Sequence, residues 1–186
     1  MTPPSMQPPR RRITFIRHAM PQVEPAISPG AWALSDSGIS AATEHPLQIT
    51  GATVVSSPER KAVQTTALMS GRDEDAVGVN PRFREVDRVE RVHHGFRVAR
   101  AAWIAGRLDE RHEGWETPDA AARRFHEGLL AHRAEHLIVG THGMVLVAWM
   151  AAQGLIVSGD EAVTFWEGLR FPDVIALKSV LLVPDH

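Results

Sequence analysis

Apolar positions fall along this chain in two rhythms: short unbroken runs, and stretches where apolar residues recur at helical spacing. Residues 12–18 read as a short buried strand that delivers Arg17 and His18 to its C-terminal end. Pro21, Pro25, Pro29 and Gly30 predict a loop over 19–34. Ser35 or Ser37 can cap a short helix that Pro46 ends. Residues 52–57 predict a second strand, and Val77 to Arg84 a third, weaker one. Ser57-Pro58 reads as an N-cap followed by proline at the first helical position, predicting a helix over 58–70 that stops near Gly71.

The stretch 86–116 is the least regular, with a helix expected around 96–106. Thr117-Pro118 repeats the cap-then-proline signal and opens a longer helix to about His132, with Ala121, Ala122, Phe125, Leu129 and Leu130 at helical spacing. A strand over 136–140, an apolar helix over 144–154, a short helix over 160–168 and one or two strands over 174–183 complete the chain. Strands alternating with helices, several strands being continuously apolar, predict an α/β fold with a mostly parallel sheet covered on both faces.

Composition narrows the chemistry. A chain of 186 residues predicts one domain, 12–186, behind a disordered arm, 1–11; Arg10 and Arg11 at its end, with the adjoining Arg12, are read as solvated. There is no cysteine, so disulfides, thiolate metal sites and a cysteine nucleophile are excluded. No apolar run approaches the roughly 18–20 residues of a membrane span, and the arm has no apolar core like that of a secretory signal. No membrane association is therefore expected, and a cytoplasmic location is. The net charge of −2 argues against a nucleic-acid partner.

Chance alone supplies about one Arg-His dipeptide in a chain with 18 Arg and 10 His, and this one has two, so context must choose between them. Arg17-His18 ends a strand, whereas Arg111-His112 follows none. Ser56-Ser57 and Thr141-His142-Gly143 also fall at strand ends, where parallel α/β sheets bind ligands. Phosphoryl transfer to a histidine needs a neutral imidazole facing phosphorus, fixed positive donors for the equatorial oxygens, and an acid at the leaving oxygen.

The segments Ile16-Arg17-His18-Ala19, Ser56 to Thr65, Pro81-Arg82-Phe83-Arg84-Glu85 and Thr141-His142-Gly143 come in an order that resembles the histidine phosphatase superfamily. Their counterparts there are a strand ending in Arg-His-Gly, a Ser-Ser-Pro-x-x-Arg-x-x-Gln-Thr segment, Pro-x-Leu-x-Glu, and a late Thr/Ser-His-Gly. Gly114-Trp115-Glu116-Thr117 resembles a further Gly-Glu-Ser/Thr element with one extra residue.

The resemblance implies a phosphoglycerate mutase-like three-layer α/β/α sandwich and a phosphomonoesterase without a cofactor or metal. His18 becomes the nucleophile, Arg17 and Arg60 grip the phosphoryl oxygens, His142 donates to the same oxygens, and Glu85 is the general acid and base. Ser57, Thr141 and Gly143 join the substrate contacts. The implied partners are a small phosphate monoester and inorganic phosphate as product; a homodimer stays open. Ala19 stands at the family's glycine, and Gln22, Val23 and Glu24 lie where the mutases carry asparagine. A small phosphatase is therefore favoured, with a mutase and a phosphate-binding protein without turnover as alternatives.

Three further features are weighed separately. His93-His94 and the pair His132 and His136 are read as non-ligands. Arg88, Arg91, His93, His94, Arg97 and Arg100 form either a substrate-selecting rim within the 86–116 insert or an exposed face. Asp87 and Glu90 compete with Glu85 for the acid role. Trp103, Trp115, Trp149 and Trp166 are expected in packing, with Trp32 the candidate for a role at the site.

Overall fold

Ile13, Phe15 and Ile16 are wholly buried at the middle of β1, Arg11–Arg17, in the computed structural model of the chain, which describes residues 10–89 and 95–183. Around β1 the sheet has the order β3-β2-β4-β1-β5, with β2 Thr53–Ser56, β3 Gly78–Val79, β4 His136–Thr141 and β5 Asp173–Val180. All pairings are parallel except β1 with β5. The mostly parallel sheet expected from the unbroken apolar runs is therefore present, closed on one side by a single antiparallel edge strand.

Strand residues of alternating parity feed two cores. Phe15, Val55, Leu137 and Val139 pack with residues of α3 Phe96–Ile104, α4 Pro118–Leu130, α5 Gly143–Ala152 and α6 Asp160–Gly168. On the other face Ile16, Val54 and Ile138 pack with Ala42 of α1, Asp36–Thr43, and Met69 of α2, Arg60–Ser70. Helix α5 is buried along Gly143 to Met150, so its apolar run is a core helix. Ser35 caps α1 by accepting from Gly38 N–H, and Thr117 caps α4 by accepting from Ala120 N–H.

Several boundaries differ from the sequence reading. Arg11 belongs to β1 rather than to a free arm, and its guanidinium donates to the carbonyls of Leu129 and His132 at the end of α4; residues 1–9 of the expected arm lie outside the described residues. The third strand shrinks to Gly78–Val79 because Pro81 opens a short 3-10 turn, Pro81–Phe83. Helix α2 begins at Arg60, not at residue 58: Glu59 is its N-cap, and the Ser57 hydroxyl accepts from Glu59 N–H at 3.2 Å. Gly71 ends it in the left-handed conformation at φ 63°.

Register brings the strand ends level. Arg17 lies opposite Thr141, Ile16 opposite Gly140, and Ser56 also opposite Gly140. His18 N–H donates to the Thr141 carbonyl at 3.1 Å, and Ser57 N–H to the Gly140 carbonyl at 2.8 Å. Gly140 permits this closeness, since a Cβ there would lie 1.9 Å from Thr66 Oγ1 and 2.8 Å from Ser56 Oγ. The residues following three parallel strands are thus gathered at one edge of the sheet.

Candidate active site

His18 follows β1 and is 7% exposed. Its Nδ1 lies 2.8 Å from the carbonyl of Ala19, an acceptor only, so Nδ1 carries the proton and donates. That assigns the lone pair to Nε2, which has no hydrogen-bond partner among the described residues. Burial, the nearby His142, Lys61 and Arg17 together hold the His18 pKa well below the usual histidine value, against the opposing bond to Ala19. The ring is neutral with a bare Nε2, the form a nucleophile needs. Ala19, where the resemblance has glycine, is wholly buried, and its N–H donates to Thr65 Oγ1 at 2.9 Å.

Arg17 sits beside it, 7% exposed. Its Nη1 donates to the Leu169 carbonyl at 2.6 Å, and its guanidinium lies over the Phe171 ring, 3.7 Å from the centroid. Phe171 also flanks His18, with ring centroids 5.4 Å apart. Arg17 Nε is buried without a partner among the described residues. Burial lowers the Arg17 pKa to about 10, with Glu85 and Asp173 opposing and Arg97 and Arg100 reinforcing; it remains a cation at neutral pH.

His142 follows β4, is wholly buried, and stands with its ring centroid 5.2 Å from that of His18. Its Nε2 is 2.8 Å from Ser57 Oγ and 3.3 Å from Glu59 Oε1, while its Nδ1 is buried without a partner among the described residues. Burial, with Lys61 and Arg88, lowers the His142 pKa to about 4 although Glu59 and Glu85 oppose the shift. Ser57 therefore orients His142 through its hydroxyl.

Arg60, expected to grip the phosphoryl oxygens, does not join this cluster. It is the first residue of α2, it is exposed, and its side chain makes no hydrogen bond or ion pair among the described residues. Lys61 is the buried neighbour, 6% exposed, with Nζ 2.5 Å from Glu59 Oε2 and 2.8 Å from the Pro29 carbonyl. Counting from Pro58 in the Ser-Ser-Pro-x-x-Arg pattern places the motif's cation at residue 61, a lysine here. The one-turn periodicity of α2 agrees, because Lys61 and Thr65 share its inner face and Thr65 Oγ1 donates to the Lys61 carbonyl at 2.7 Å. The spacing was the signal that could have found Lys61.

Glu59 was also missed. Beyond its contacts with Lys61 and His142, its Oε1 accepts from Glu85 N–H at 2.8 Å. Burial would raise its pKa, but His142, the charge and hydrogen bond of Lys61, and the Glu85 N–H hold it far below the usual carboxylate range.

Glu85 follows the Pro81–Phe83 turn and meets the N-terminus of α5. Its Oε1 accepts from Val86 and Val145 N–H, both at 3.0 Å, and its Oε2 from Met144 N–H at 3.3 Å. Burial alone would raise its pKa, yet His142, Arg88 and the Val86 N–H lower it. An ionised carboxylate at a helix N-terminus is the favoured arrangement. Asp87, by contrast, is exposed, and its N–H donates to Glu116 Oε2 at 3.1 Å; Glu90 lies outside the described residues.

Thr141 and Gly143 differ from the contacts expected of them. Thr141 Oγ1 is wholly buried and donates to the Phe83 carbonyl at 3.0 Å, fixing the turn that carries Glu85 rather than facing a ligand. Gly143 opens α5, and a Cβ there would lie 3.1 Å from Trp166 Nε1 and 3.2 Å from Arg17 Nε. Its lack of a side chain keeps the space beside Arg17 Nε open.

The remaining candidates separate. His132 Nε2 lies 3.2 Å from Asn80 Nδ2, and His136 Nε2 lies 3.2 Å from Thr14 Oγ1, so the two histidines face different partners. Arg91, His93 and His94 fall outside the described residues. Arg97 on α3 lies 5.7 Å from the Trp166 ring centroid and is exposed. Arg111-His112 is a capping element: Asp109 accepts from Arg111 N–H, and His112 Nε2 donates to the Ala99 carbonyl at 2.8 Å. Trp32 packs within the 19–34 loop, with its indole N–H on the Glu24 carbonyl at 2.9 Å.

The sequence pattern of the histidine phosphatase superfamily (branch 1) matches residues 13–157. Among solved structures, a mycobacterial glucosyl-3-phosphoglycerate phosphatase in complex with VO3 superposes with a TM-score of 0.62 at 19% identity, over 90% of this chain and 91% of that one. A phosphoserine phosphatase mutant from Entamoeba histolytica, in complex with phosphoserine, does so with a TM-score of 0.66 at 15% identity over 89% of each chain. A protein described as mycobacterial hydrolase 1 matches with a TM-score of 0.60 at 22% identity, over 90% of this chain and 89% of that one. At these identities the likeness speaks for the shared fold. No curated protein sequence matches the chain.

Proposed function

We propose, from the premise that this chain belongs to the histidine phosphatase superfamily (branch 1), that it is a phosphomonoesterase acting on small phosphorylated metabolites through a phosphohistidine at His18. One observation carries the reading. The bond from His18 Nδ1 to the Ala19 carbonyl, 2.8 Å long, leaves Nε2 as the free lone pair of a neutral ring at the edge of the sheet.

In the first step His18 Nε2 attacks phosphorus, the bond to the leaving oxygen breaks, and that oxygen takes a proton. Arg17, Lys61 and His142 supply donors to the equatorial oxygens, whose spread charge a preorganised site stabilises. Glu85 is ionised in the free protein; the negative charge of the bound phosphoryl group opposes that charge and raises its pKa, so the carboxylate takes up a proton from solvent. The carboxyl then carries the proton for the leaving oxygen. In the second step water attacks phosphorus, the P–N bond breaks, Glu85 takes the water proton, and inorganic phosphate leaves. The small phosphate-bearing ligands named for the structural relatives, phosphoserine among them, support a small phosphate monoester as substrate.

The test is a turnover screen over sugar phosphates, nucleotides, phosphorylated amino acids and phosphorylated cofactor precursors, run in EDTA with His18→Ala as control. Release of phosphate from at least one class by the native chain, and none by His18→Ala, is expected. Equal release by both proteins overturns the mechanism.

A further inference from the structure

Glu59 occupies a place that the proposed mechanism leaves without a role. One carboxylate, only 16% exposed, joins three parts of the site. Its Oε2 holds Lys61 Nζ at 2.5 Å, its Oε1 accepts from Glu85 N–H at 2.8 Å, and the same Oε1 lies 3.3 Å from His142 Nε2. The backbone N–H of Glu59 donates to Ser57 Oγ, the hydroxyl that also contacts His142 Nε2 at 2.8 Å. A carboxylate oxygen this near an imidazole nitrogen disfavours a bare lone pair there and favours N–H. The proton of neutral His142 is thereby assigned to Nε2. Its Nδ1 is the unprotonated atom, buried and without a partner among the described residues.

We propose that Glu59 is a positioning residue that fixes this tautomer of His142 and lets Nδ1 accept a proton when a phosphoryl group enters the pocket. The inference rests on the phosphoryl-pocket reading above, but not on His18 being the nucleophile. In the step, a monoanionic phosphate ester gives its acidic proton to His142 Nδ1. The ester becomes the dianion, His142 becomes the imidazolium, and no bond to phosphorus changes. The imidazolium then donates from Nδ1 to a phosphoryl oxygen and from Nε2 toward Glu59 and Ser57. Carboxylate and phosphoryl group flank the cation on its two nitrogens, which is the arrangement that stabilises charge on a buried ring.

The charged and titratable groups facing His142 come from every neighbouring segment. Glu59 and Lys61 lie at the start of α2, Glu85 and Arg88 after the Pro81–Phe83 turn, and His18 beside Arg17 at the end of β1. Glu59 and Glu85 favour the charged form, while Lys61, Arg88 and burial oppose it. The incoming anion tips the balance, so His142 is neutral in the free protein and charged in the complex.

The experiment reads the ring directly. Imidazole nitrogen NMR of the full chain is recorded at pH 7 with and without inorganic phosphate, and repeated in His18→Ala. The expected result is a neutral His142 in the free protein and protonation of both its nitrogens on phosphate binding, in both backgrounds. A neutral His142 in the phosphate complex overturns the proposal. Loss of turnover in His18→Ala with His142 still protonating keeps the two readings apart. Kinetics give the second arm. Removing the charge in Glu59→Gln should move the alkaline limb of kcat to lower pH by about one unit, because the His142 proton is then held less tightly. Glu59→Asp should restore most of that shift. An alkaline limb that stays in place in Glu59→Gln also overturns the proposal, reducing Glu59 to an anchor for Lys61.

Discussion

His18 and His142 face one another with ring centroids 5.2 Å apart, yet their hydrogen bonds commit opposite nitrogens. His18 spends Nδ1 on the Ala19 carbonyl, and His142 spends Nε2 on the Ser57 hydroxyl, with Glu59 Oε1 3.3 Å away. The remaining nitrogens, Nε2 of His18 and Nδ1 of His142, are the ones left to act on a phosphoryl group. This division of labour follows from the parallel register of β1 and β4, which sets Arg17 opposite Thr141 and so puts the two histidines side by side.

In the proposed pocket Lys61 joins Arg17 as a gripping cation. Lys61→Met should lower kcat/KM for an aryl phosphate by about 100-fold or more, the scale of losing one preorganised donor to developing charge. Arg60→Ala should stay within about threefold of the native chain, since Arg60 is exposed and outside the pocket. Steady-state kinetics on both variants check this; the opposite ranking returns the role to Arg60.

In the proposed mechanism Glu85 handles the proton of the leaving group. Glu85→Gln should cost about 100-fold in kcat/KM on alkyl phosphates and less than about tenfold on aryl ones, since kcat/KM reports the phosphorylation step and aryl leaving groups need little protonation. Parallel assays on matched alkyl and aryl esters decide it. Equal losses on the two would move the acid to another residue.

The buried histidines set the response to acid. The unfolded chain binds protons on histidine from about pH 6.5 downward, whereas folded His142 resists until about pH 4 and His18 well below its usual value. Between these limits the unfolded state holds more protons, so stability must fall as pH drops through this window. The urea midpoint should be lower at pH 5 than at pH 7. In the proposed mechanism activity has the same sign of dependence, because His18 would attack only when neutral. The acid limb of kcat/KM should lie below pH 6.5, and a limb at or above it would contradict the environment of His18.

Much of this was legible in the sequence, for reasons that particular residues make plain. Unbroken apolar runs mark β1 and β4, and residues that follow parallel strands meet at one sheet edge, so the sequence alone groups Arg17, His18 and His142. Lys61 was misread because Arg60 carries the motif's residue type one position early. The decisive information was helical phase: the exposed side of α2 takes Arg60 and the inner side takes Lys61. Glu59 was hidden by chemistry, since an acidic residue at a helix start reads as a solvated partner of the helix dipole. Here it is folded inward against Lys61. Phe171 lies more than 150 residues from Arg17 along the chain, and only the antiparallel pairing of β5 brings it over the guanidinium. The late start of α2 has a similar origin, since the Ser57 hydroxyl is drawn to His142 as well as to Glu59 N–H.

Gly143 keeps the space beside Arg17 open. Gly143→Ala places a Cβ 3.1 Å from Trp166 Nε1 and 3.2 Å from Arg17 Nε, tighter than most real contacts. Arg17 must shift, so phosphate should bind about tenfold more weakly while the folded state persists, the cost of modest overpacking being about 1–3 kcal/mol. Calorimetric titration with inorganic phosphate, beside a thermal melt, separates the two effects. Unchanged phosphate affinity would remove Arg17 Nε from the pocket.

His18 is the residue proposed to carry the phosphoryl group. The direct measurement is rapid quenching in alkali during turnover, followed by peptide mass analysis for phosphohistidine. Expected is an acid-labile phosphoryl group on the peptide containing His18, enriched in Glu85→Gln during turnover of an aryl phosphate, where the water step is slowed, and absent in His18→Ala. Full turnover by His18→Ala, or a phosphoryl group trapped on His142 with none on His18, would contradict it.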